Sequence, residues 1–146
     1  MEISIATTQQ EREACYRLRH VVFVEEQGVP VELEIDEHDE ATAIHFMGMI
    51  GTELVATARL CVFGEMAKIQ RVAVARSQRG CGLGKQIIEH LVRFARDEKL
   101  GDIITLDAQT HAIEFYRTLG FETQGDVFDD AGIDHIRMVA TASQLS

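Results

Sequence analysis

Three glycines at every second position, Gly80, Gly82 and Gly84, open a strongly helical stretch of the sequence. Glycine has no side chain and tolerates positive φ, so such a loop lets several backbone N–H groups point into one space. The N-terminus of the following helix adds unpaired N–H donors and a partial positive charge. Arg79 and Lys85 add two full positive charges in a chain whose net charge is −10. The pattern predicts a binding site for a polyphosphate ligand.

Two common nucleotide motifs do not fit this loop. A Walker loop requires glycine at position 79, where this sequence has arginine, and Ser or Thr at position 86, where it has glutamine. A dinucleotide fingerprint requires glycine at Lys85, and its βαβ unit normally follows an early strand. A nucleotide-binding regulator is therefore the weakest functional hypothesis, and a glycine-rich turn without a ligand is the plain structural alternative.

Strands and helices alternate around the loop. The apolar periodicity predicts a mixed α/β fold of order β-α-β-β-β-α-β-α-β-β in a single domain over 1–146, although it does not fix which strands are neighbours. Gly101 and Gly120 are each expected to end a helix in the left-handed conformation. The predicted elements are a short strand at Ile3 and Ile5, a helix from about Gln9 to Val24, strands over Ala43–Ile50, Leu54–Val62 and Lys68–Ala75, a helix after the glycine loop, a strand over Asp102–Ala108, a short helix over His111–Leu119, and strands over Phe121–Phe128 and Asp134–Val139 around a turn at Gly132.

Composition excludes several classes of function. The net charge of −10 argues against a nucleic-acid partner. No apolar run approaches the roughly 20 residues of a membrane span, and the N-terminus lacks the features of a signal peptide, so we expect a cytoplasmic protein without a membrane partner. Three widely spaced cysteines argue against a disulfide framework and against a metal site. Cys81, inside the loop, is interpreted as a small residue tolerated in a tight turn.

Many of the acidic residues lie in one run, from Glu25 to Glu40. Two interpretations are open for this acidic run. It is either a solvated loop, as charge runs usually are, or a mouth that attracts a cationic substrate by electrostatic steering.

The sequence resembles the GNAT superfamily of N-acetyltransferases. Val72-Ala73-Val74 and then Gln78 to Lys85 are similar to its motif A, whose loop pattern Q/R-x-x-G-x-G/A is met by Arg79, Gly82 and Gly84. Downstream, Ala112 to Phe121 looks like motif B, A-x-x-F/L-Y-x-x-x-G-F, at the expected distance. Leu18 to Gln27 is similar to the start of a bacterial GNAT subgroup that resembles glyphosate N-acetyltransferase. Gly125 to Met138 resembles the C-terminal strands of that subgroup and of glyphosate N-acetyltransferase.

This resemblance implies a GNAT-type fold, with a mixed central sheet flanked by helices. It implies an acetyl-CoA-dependent N-acetyltransferase, in which a primary or secondary amine attacks the thioester directly. The acceptor would be a small-molecule amine or a lysine, and a homodimer is the family-level expectation. Val72, Ala73 and Val74 would bind the pantetheine arm beside a bulge that separates two parallel strands, while the amides from Arg79 to Lys85, including Gly80, Gly82 and Gly84, would wrap the pyrophosphate.

The resemblance also implies residue roles. Tyr116 matches the tyrosine that protonates the leaving thiolate, His135 matches a histidine base, and Arg71 matches a substrate-contacting arginine. Each has a structural alternative: a core aromatic for Tyr116, a structural strand residue for His135 and a solvent-facing strand residue for Arg71. Weaker candidates for the base are His45, His111, Glu26 and Asp107.

Two departures limit what is carried over. Gln109 stands where many relatives have asparagine, and Val24 and Gln109 replace two anion-binding arginines of glyphosate N-acetyltransferase. Glyphosate-like specificity is therefore not implied. A non-catalytic acyl-CoA-binding regulatory domain is the main alternative function.

Overall fold

The structure is a computed structural model that describes residues 1–141. Its elements follow the predicted order, with short helices added between them. They are β1 (Glu2–Ile5), α1 (Gln9–Arg19), a π-helix (His20–Glu26), α2 (Val31–Glu34), α3 (His38–Ala41), β2 (Ile44–Ile50), β3 (Glu53–Phe63), β4 (Met66–Val74), a 3-10 helix (Arg76–Gln78), α4 (Leu83–Asp97), β5 (Ile103–Gln109), a 3-10 helix (Thr110–Ala112), α5 (Ile113–Thr118), β6 (Glu122–Asp130) and β7 (Ile133–Thr141).

Between residues 1 and 141, seven strands form one mixed sheet in the order β1-β2-β3-β4-β5-β7-β6. Among the strand pairs of this part of the chain, β4 with β5 is the parallel one. Their pairing stops at Ile69 and Leu106, although both strands continue beyond that point. At Arg71, β4 contains one residue more than the facing segment of β3, which forms a β-bulge. Arg71 has a left-handed φ of 55°. This bulge bends β4 away from β5, and the sheet opens into a cleft between the two strands.

Helices cover both faces of the sheet. One face of α4 buries Ile87, Ile88, Leu91, Val92 and Ala95 against a core that also contains Phe46. The next residue along β2, Met47, points to the opposite face and packs with Cys15 of α1. The mixed α/β prediction, with a sheet flanked by helices, is confirmed. Within residues 1–141, every helix is too short or too polar to cross a bilayer.

Two helix ends illustrate different uses of glycine. Gly120 follows α5 with φ of 97°, which confirms the predicted left-handed end. The same prediction for Gly101 is wrong, because the left-handed residue after α4 is Lys99, with φ of 53°. Gly101 instead lies against the next chain segment: a Cβ there would stand 2.6 Å from the backbone oxygen of Glu65. It is required by close packing and not by helix termination.

The acidic run is more ordered than predicted. The π-helix extends the first helix beyond Val24 to Glu26, and α2 and α3 follow within the run. Glu34 and Asp39 are buried, with side chains 3% and 0% exposed. The interpretation of the run as a solvated loop is therefore wrong for Glu34 and Asp39, because these two carboxylates bind arginines inside the protein.

Candidate active site

The glycine loop has the backbone conformation of an anion site. Gly80 and Gly82 have φ of 83° and 81°, and Gly82 caps the N-terminus of α4 without any side-chain hydrogen bond. A Cβ at either glycine would meet no atom of the described residues within 4 Å, so the space in front of the loop is open to that extent. The first N–H groups of α4 therefore face this space without a capping side chain. Room and donors both fit a pyrophosphate group.

The two predicted cations of the loop differ. The Arg79 Nε donates to the Val74 carbonyl at 3.0 Å, and Nη1 lies 2.8 Å from Oε1 of Glu26. Lys85 is exposed and forms no ion pair within the described chain. Arg79 therefore links the loop to β4 and to the π-helix. Lys85 is the cation of the loop that has no ionic partner in the described chain.

A cavity of about 280 Å³ lies at the cleft between β4 and β5. It brings together four of the predicted site residues: Arg71, Val72, Tyr116 and His135. Ala73, which is buried, and Val74 do not line it, and neither does the glycine loop. The predicted site residues therefore fall into two groups, those that line the cavity and those of the glycine loop outside it. Strand β4 connects the two groups.

Tyr116 presents a phenol to this cavity. Its ring packs edge-on against Phe115 and Phe121, and its hydroxyl forms no hydrogen bond among residues 1–141. Burial raises the pKa of Tyr116 to about 12. The phenol is therefore protonated at neutral pH and can donate its proton to a group in the cavity.

His135 presents one ring nitrogen for proton transfer. Its Nδ1 lies 2.7 Å from the carbonyl oxygen of Ile133. Because a carbonyl only accepts, Nδ1 must carry the hydrogen, and Nε2 of the neutral ring is left as the acceptor. The ring also stacks on Phe128, with centroids 6.0 Å apart. These contacts fix the tautomer that a general base requires.

The weaker base candidates are placed less favourably. Glu26 is paired with Arg79, and His45 lies outside the cavity, where burial lowers its pKa. Asp107 lines the cavity but lies 2.8 Å from the Lys68 ammonium. His111 also lines it, and its Nε2 lies 2.8 Å from Oε1 of Gln109.

Gln109 joins two sides of the cavity. Its amide nitrogen donates to Oε1 of Gln27 at 2.9 Å, while its amide oxygen receives the contact from His111. Gln109 therefore has a defined position, because its side chain links β5 to the end of the π-helix.

Arg71 is held by the protein itself. Its Nε donates to the Glu34 carbonyl at 3.1 Å and its Nη2 to the Leu33 carbonyl at 3.3 Å. A carboxylate oxygen of Asp36 is 3.4 Å away. These contacts attach the segment from Leu33 to Asp36 to the bulge of β4, and a substrate contact by Arg71 stays a prediction.

Arg71 belongs to a cluster of six charges, which we call the arginine–carboxylate cluster. It contains three cations and three anions: Arg19, Arg59, Arg71, Glu34, Asp36 and Asp39. Asp39 lies at its centre, 2.7 Å from Arg19 and 2.8 Å from Arg59. Burial alone would raise the pKa of Asp39, but the hydrogen bonds and charges of the two arginines outweigh it and hold this pKa well below its usual value.

Sequence reasoning missed this cluster, although one signal was present. Arg59 stands within a nearly continuous apolar strand, and a buried arginine must be paired. Its partners, Asp36 and Asp39, are about twenty residues away in the sequence, so their identity could not be read from local spacing. Among the described residues, no group of three or more His, Cys, Asp or Glu could hold a metal ion.

Comparisons with known proteins agree with this fold. Residues 9–142 match the family model described as acetyltransferase (GNAT) domain. The chain is 34% identical over 140 residues to a Bacillus subtilis protein named uncharacterized N-acetyltransferase YjcF, covering 95% of this chain and 99% of that one. It is similar to the crystal structure of an acyl-CoA N-acyltransferase from Pseudomonas aeruginosa, with a TM-score of 0.85, 30% identity and coverage of 94% and 96%. Escherichia coli ElaA gives a TM-score of 0.86 at 29% identity, with coverage of 94% and 97%.

A family match across nearly the whole chain, the shared fold and the cleft beside a glycine loop lead to one conclusion: the chain belongs to the GNAT acetyltransferase family and is an acyltransferase.

Proposed function

We propose that this acyltransferase uses acetyl-CoA and transfers the acetyl group to a primary or secondary amine. The observation that carries the proposal is the cleft between β4 and β5, because one cavity at this cleft holds both a protonated phenol and an oriented imidazole. Two such groups accelerate acyl transfer to an amine, because one can donate a proton to the leaving group and the other can accept a proton from the nucleophile.

The donor half of the site would use the backbone of the chain. Acetyl-CoA supplies an acetyl group activated as a thioester. In the described part of the chain, the edge of β4 that faces β5 has no strand partner beyond Ile69, so Val72, Ala73 and Val74 can offer backbone groups to the pantetheine arm. Gly80, Gly82 and Gly84 with Arg79 and Lys85 would hold the pyrophosphate, mainly through backbone N–H groups. Gly84 needs no special conformation: a Cβ there would make ordinary contacts with Val74 and Phe115 at 3.8 and 3.9 Å.

The acceptor half would use side chains. Nε2 of His135 would take the proton of the attacking amine, directly or through water. The hydroxyl of Tyr116 would donate to the sulfur as its bond to the acetyl group breaks. Val24 and Gln109 stand where glyphosate N-acetyltransferase has arginines, so we do not extend the proposal to glyphosate as acceptor.

Acetyl-CoA is expected to stabilise the protein and to release free CoA only when an amine is added. At a concentration 100-fold above its Kd, a ligand adds about 2.7 kcal/mol, which corresponds to a rise of roughly 5 to 10 °C in Tm for a chain of this size. Thermal unfolding with acetyl-CoA, CoA and ATP measures binding, and a thiol reagent measures turnover across a panel of amines. Stabilisation without thiol release from any amine would favour a non-catalytic acyl-CoA-binding domain. Stabilisation by ATP alone would contradict the donor assignment.

Replacing His135 with Gln is expected to lower kcat/KM roughly tenfold to a hundredfold at neutral pH, because the amide cannot accept the proton of the amine. The deficit should shrink as the pH approaches the pKa of the amine, about 10 for an alkylamine, because the acceptor then arrives unprotonated. His20→Gln, an exposed histidine outside the cavity, is the matched control. A wild-type pH profile for His135→Gln would show that another group, or water alone, takes the proton.

A further inference from the structure

The charged groups that line the cavity are almost all neutralised by neighbours. Glu34 and Arg71 belong to the arginine–carboxylate cluster, whose three cations and three anions cancel. Asp107 and Lys68 form an ion pair at 2.8 Å. These walls therefore present little net charge to an acceptor. Because the guanidinium of Arg71 already contacts Leu33, Glu34 and Asp36, it is poorly placed to bind an anionic acceptor.

Asp130 is the exception. It lines the same cavity as Tyr116 and His135, is exposed at its rim, and forms no ion pair within residues 1–141. It stands at the end of β6, where the chain turns into β7. Asp129 and Asp134 are its neighbours in this turn and likewise form no ion pair in the described chain. Within the described chain this turn therefore carries three carboxylates without an ion pair, and Asp130 is the one whose residue lines the cavity.

The remaining wall is suited to a hydrocarbon chain. Phe23, Val29, Leu33 and Ile133 line the cavity together with the polar groups already described. Apolar side chains favour contact with methylene groups, whereas an exposed carboxylate favours an ammonium group. An acceptor with two amino groups separated by a short alkyl chain satisfies both surfaces.

We propose that the acceptor is a small dicationic amine, and that Asp130 binds the ammonium group that is not acetylated. This inference rests on the proposed function, because it places the reacting amine at His135. The acidic turn would also raise the rate of encounter with cations, an effect that falls with ionic strength. One interpretation of the sequence was that the acidic run from Glu25 to Glu40 attracts a cationic substrate. The inference assigns that attraction to the turn that contains Asp130 instead.

Three acceptors of similar length test the charge preference. These are 1,4-diaminobutane, butylamine and 4-aminobutanoate, each assayed by thiol release at fixed acetyl-CoA. We expect kcat/KM for the diamine to exceed that for butylamine about tenfold, mostly through KM, and 4-aminobutanoate to be the poorest of the three. Equal values for the diamine and butylamine, or a preference for 4-aminobutanoate, would overturn the inference and leave the proposed function intact. Failure of every amine in the wild-type enzyme would overturn the proposed function itself.

Asp130→Asn tests the residue. We expect it to reduce the advantage of the diamine over butylamine to about twofold, with kcat/KM for butylamine itself changed less than twofold. Asp126→Asn is the matched control, because it removes the same charge from the same strand but does not line the cavity. If both variants reduce the advantage equally, the preference arises from the general field, and the assignment of Asp130 is wrong.

Discussion

Tyr116→Phe is expected to lower kcat for thiol release about a thousandfold while acetyl-CoA binds within about twofold of the wild-type affinity. The substitution removes one oxygen and keeps the ring that packs against Phe115 and Phe121. The hydroxyl has no protein partner in the described chain, so its loss leaves no buried group unpaired. The measurement is steady-state thiol release with thermal unfolding as the binding assay.

The raised pKa of Tyr116 limits how its proton is used. A phenol with a pKa of about 12 is a weaker acid than a thiol in water, which has a pKa of about 8.5. Burial in the same cavity would disfavour the CoA thiolate as well, and would therefore also raise the pKa of the CoA thiol. Proton donation is therefore expected to accompany departure of the sulfur, and kcat and kcat/KM should fall together in Tyr116→Phe.

The other tyrosine of the chain provides the control. Tyr16 lies outside the cavity, and its hydroxyl donates to the Asp39 carbonyl at 3.2 Å. Tyr16→Phe makes the same chemical change and should cost about 1 kcal/mol of stability without a change in kcat. If Tyr116→Phe keeps more than a third of the wild-type kcat, the phenol is a packing residue and the sulfur leaves without its proton.

Asp39→Asn should lower the free energy of unfolding by about 3 to 5 kcal/mol, because it leaves two buried arginines without their shared carboxylate. The carboxylate accepts from Arg19 at 2.7 and 3.0 Å and from Arg59 at 2.8 Å. An amide of the same shape would turn a donor toward one of these guanidinium groups. Urea unfolding measures the loss, and Asp97→Asn, which removes an exposed carboxylate 3.5 Å from Arg96, should cost under about 1 kcal/mol.

The same cluster predicts the direction of pH dependence. The pKa values of Asp36 and Asp39 are lower in the folded chain than in the unfolded one, where they are about 3.9. The stability that these groups contribute is therefore present above about pH 4 and is lost as the pH falls toward their folded pKa values. Asp39→Asn should lose stability less steeply in acid than the wild type. An Asp39→Asn variant within about 1 kcal/mol of the wild type at neutral pH would show that the cluster does not hold the fold together.

The parts of the fold that local patterns specify were predictable. The apolar face of α4 and the turn at Gly132 are encoded within a few residues, and the structure has both where the sequence placed them. The glycine loop was predictable for the same reason, because Gly80 and Gly82 need the positive φ that glycine allows. Tyr116 and His135 required family resemblance, since spacing alone does not bring residues of α5 and β7 to one cavity.

What could not be predicted depends on contacts between distant segments. The pairing of Asp36 and Asp39 with Arg59 joins the acidic run to a central strand, and no periodicity encodes such a pair. Gly101 was assigned to helix termination because its packing against Glu65 is invisible in the sequence. The left-handed conformation of Arg71 accompanies contacts with Leu33 and Glu34, which lie far from it in the sequence.

The neutral arginine–carboxylate cluster also bears on how this family member can evolve. Each of its charges is balanced by neighbours, so a change at Arg59 or Asp39 is tolerated only with a compensating change at a partner. Asp130 has no such partner within residues 1–141 and can be exchanged alone. We expect the cluster to be inherited as a unit among descendants of this chain, while the rim of the cavity diversifies one residue at a time. New acceptors could then be acquired without rebuilding the frame that holds them.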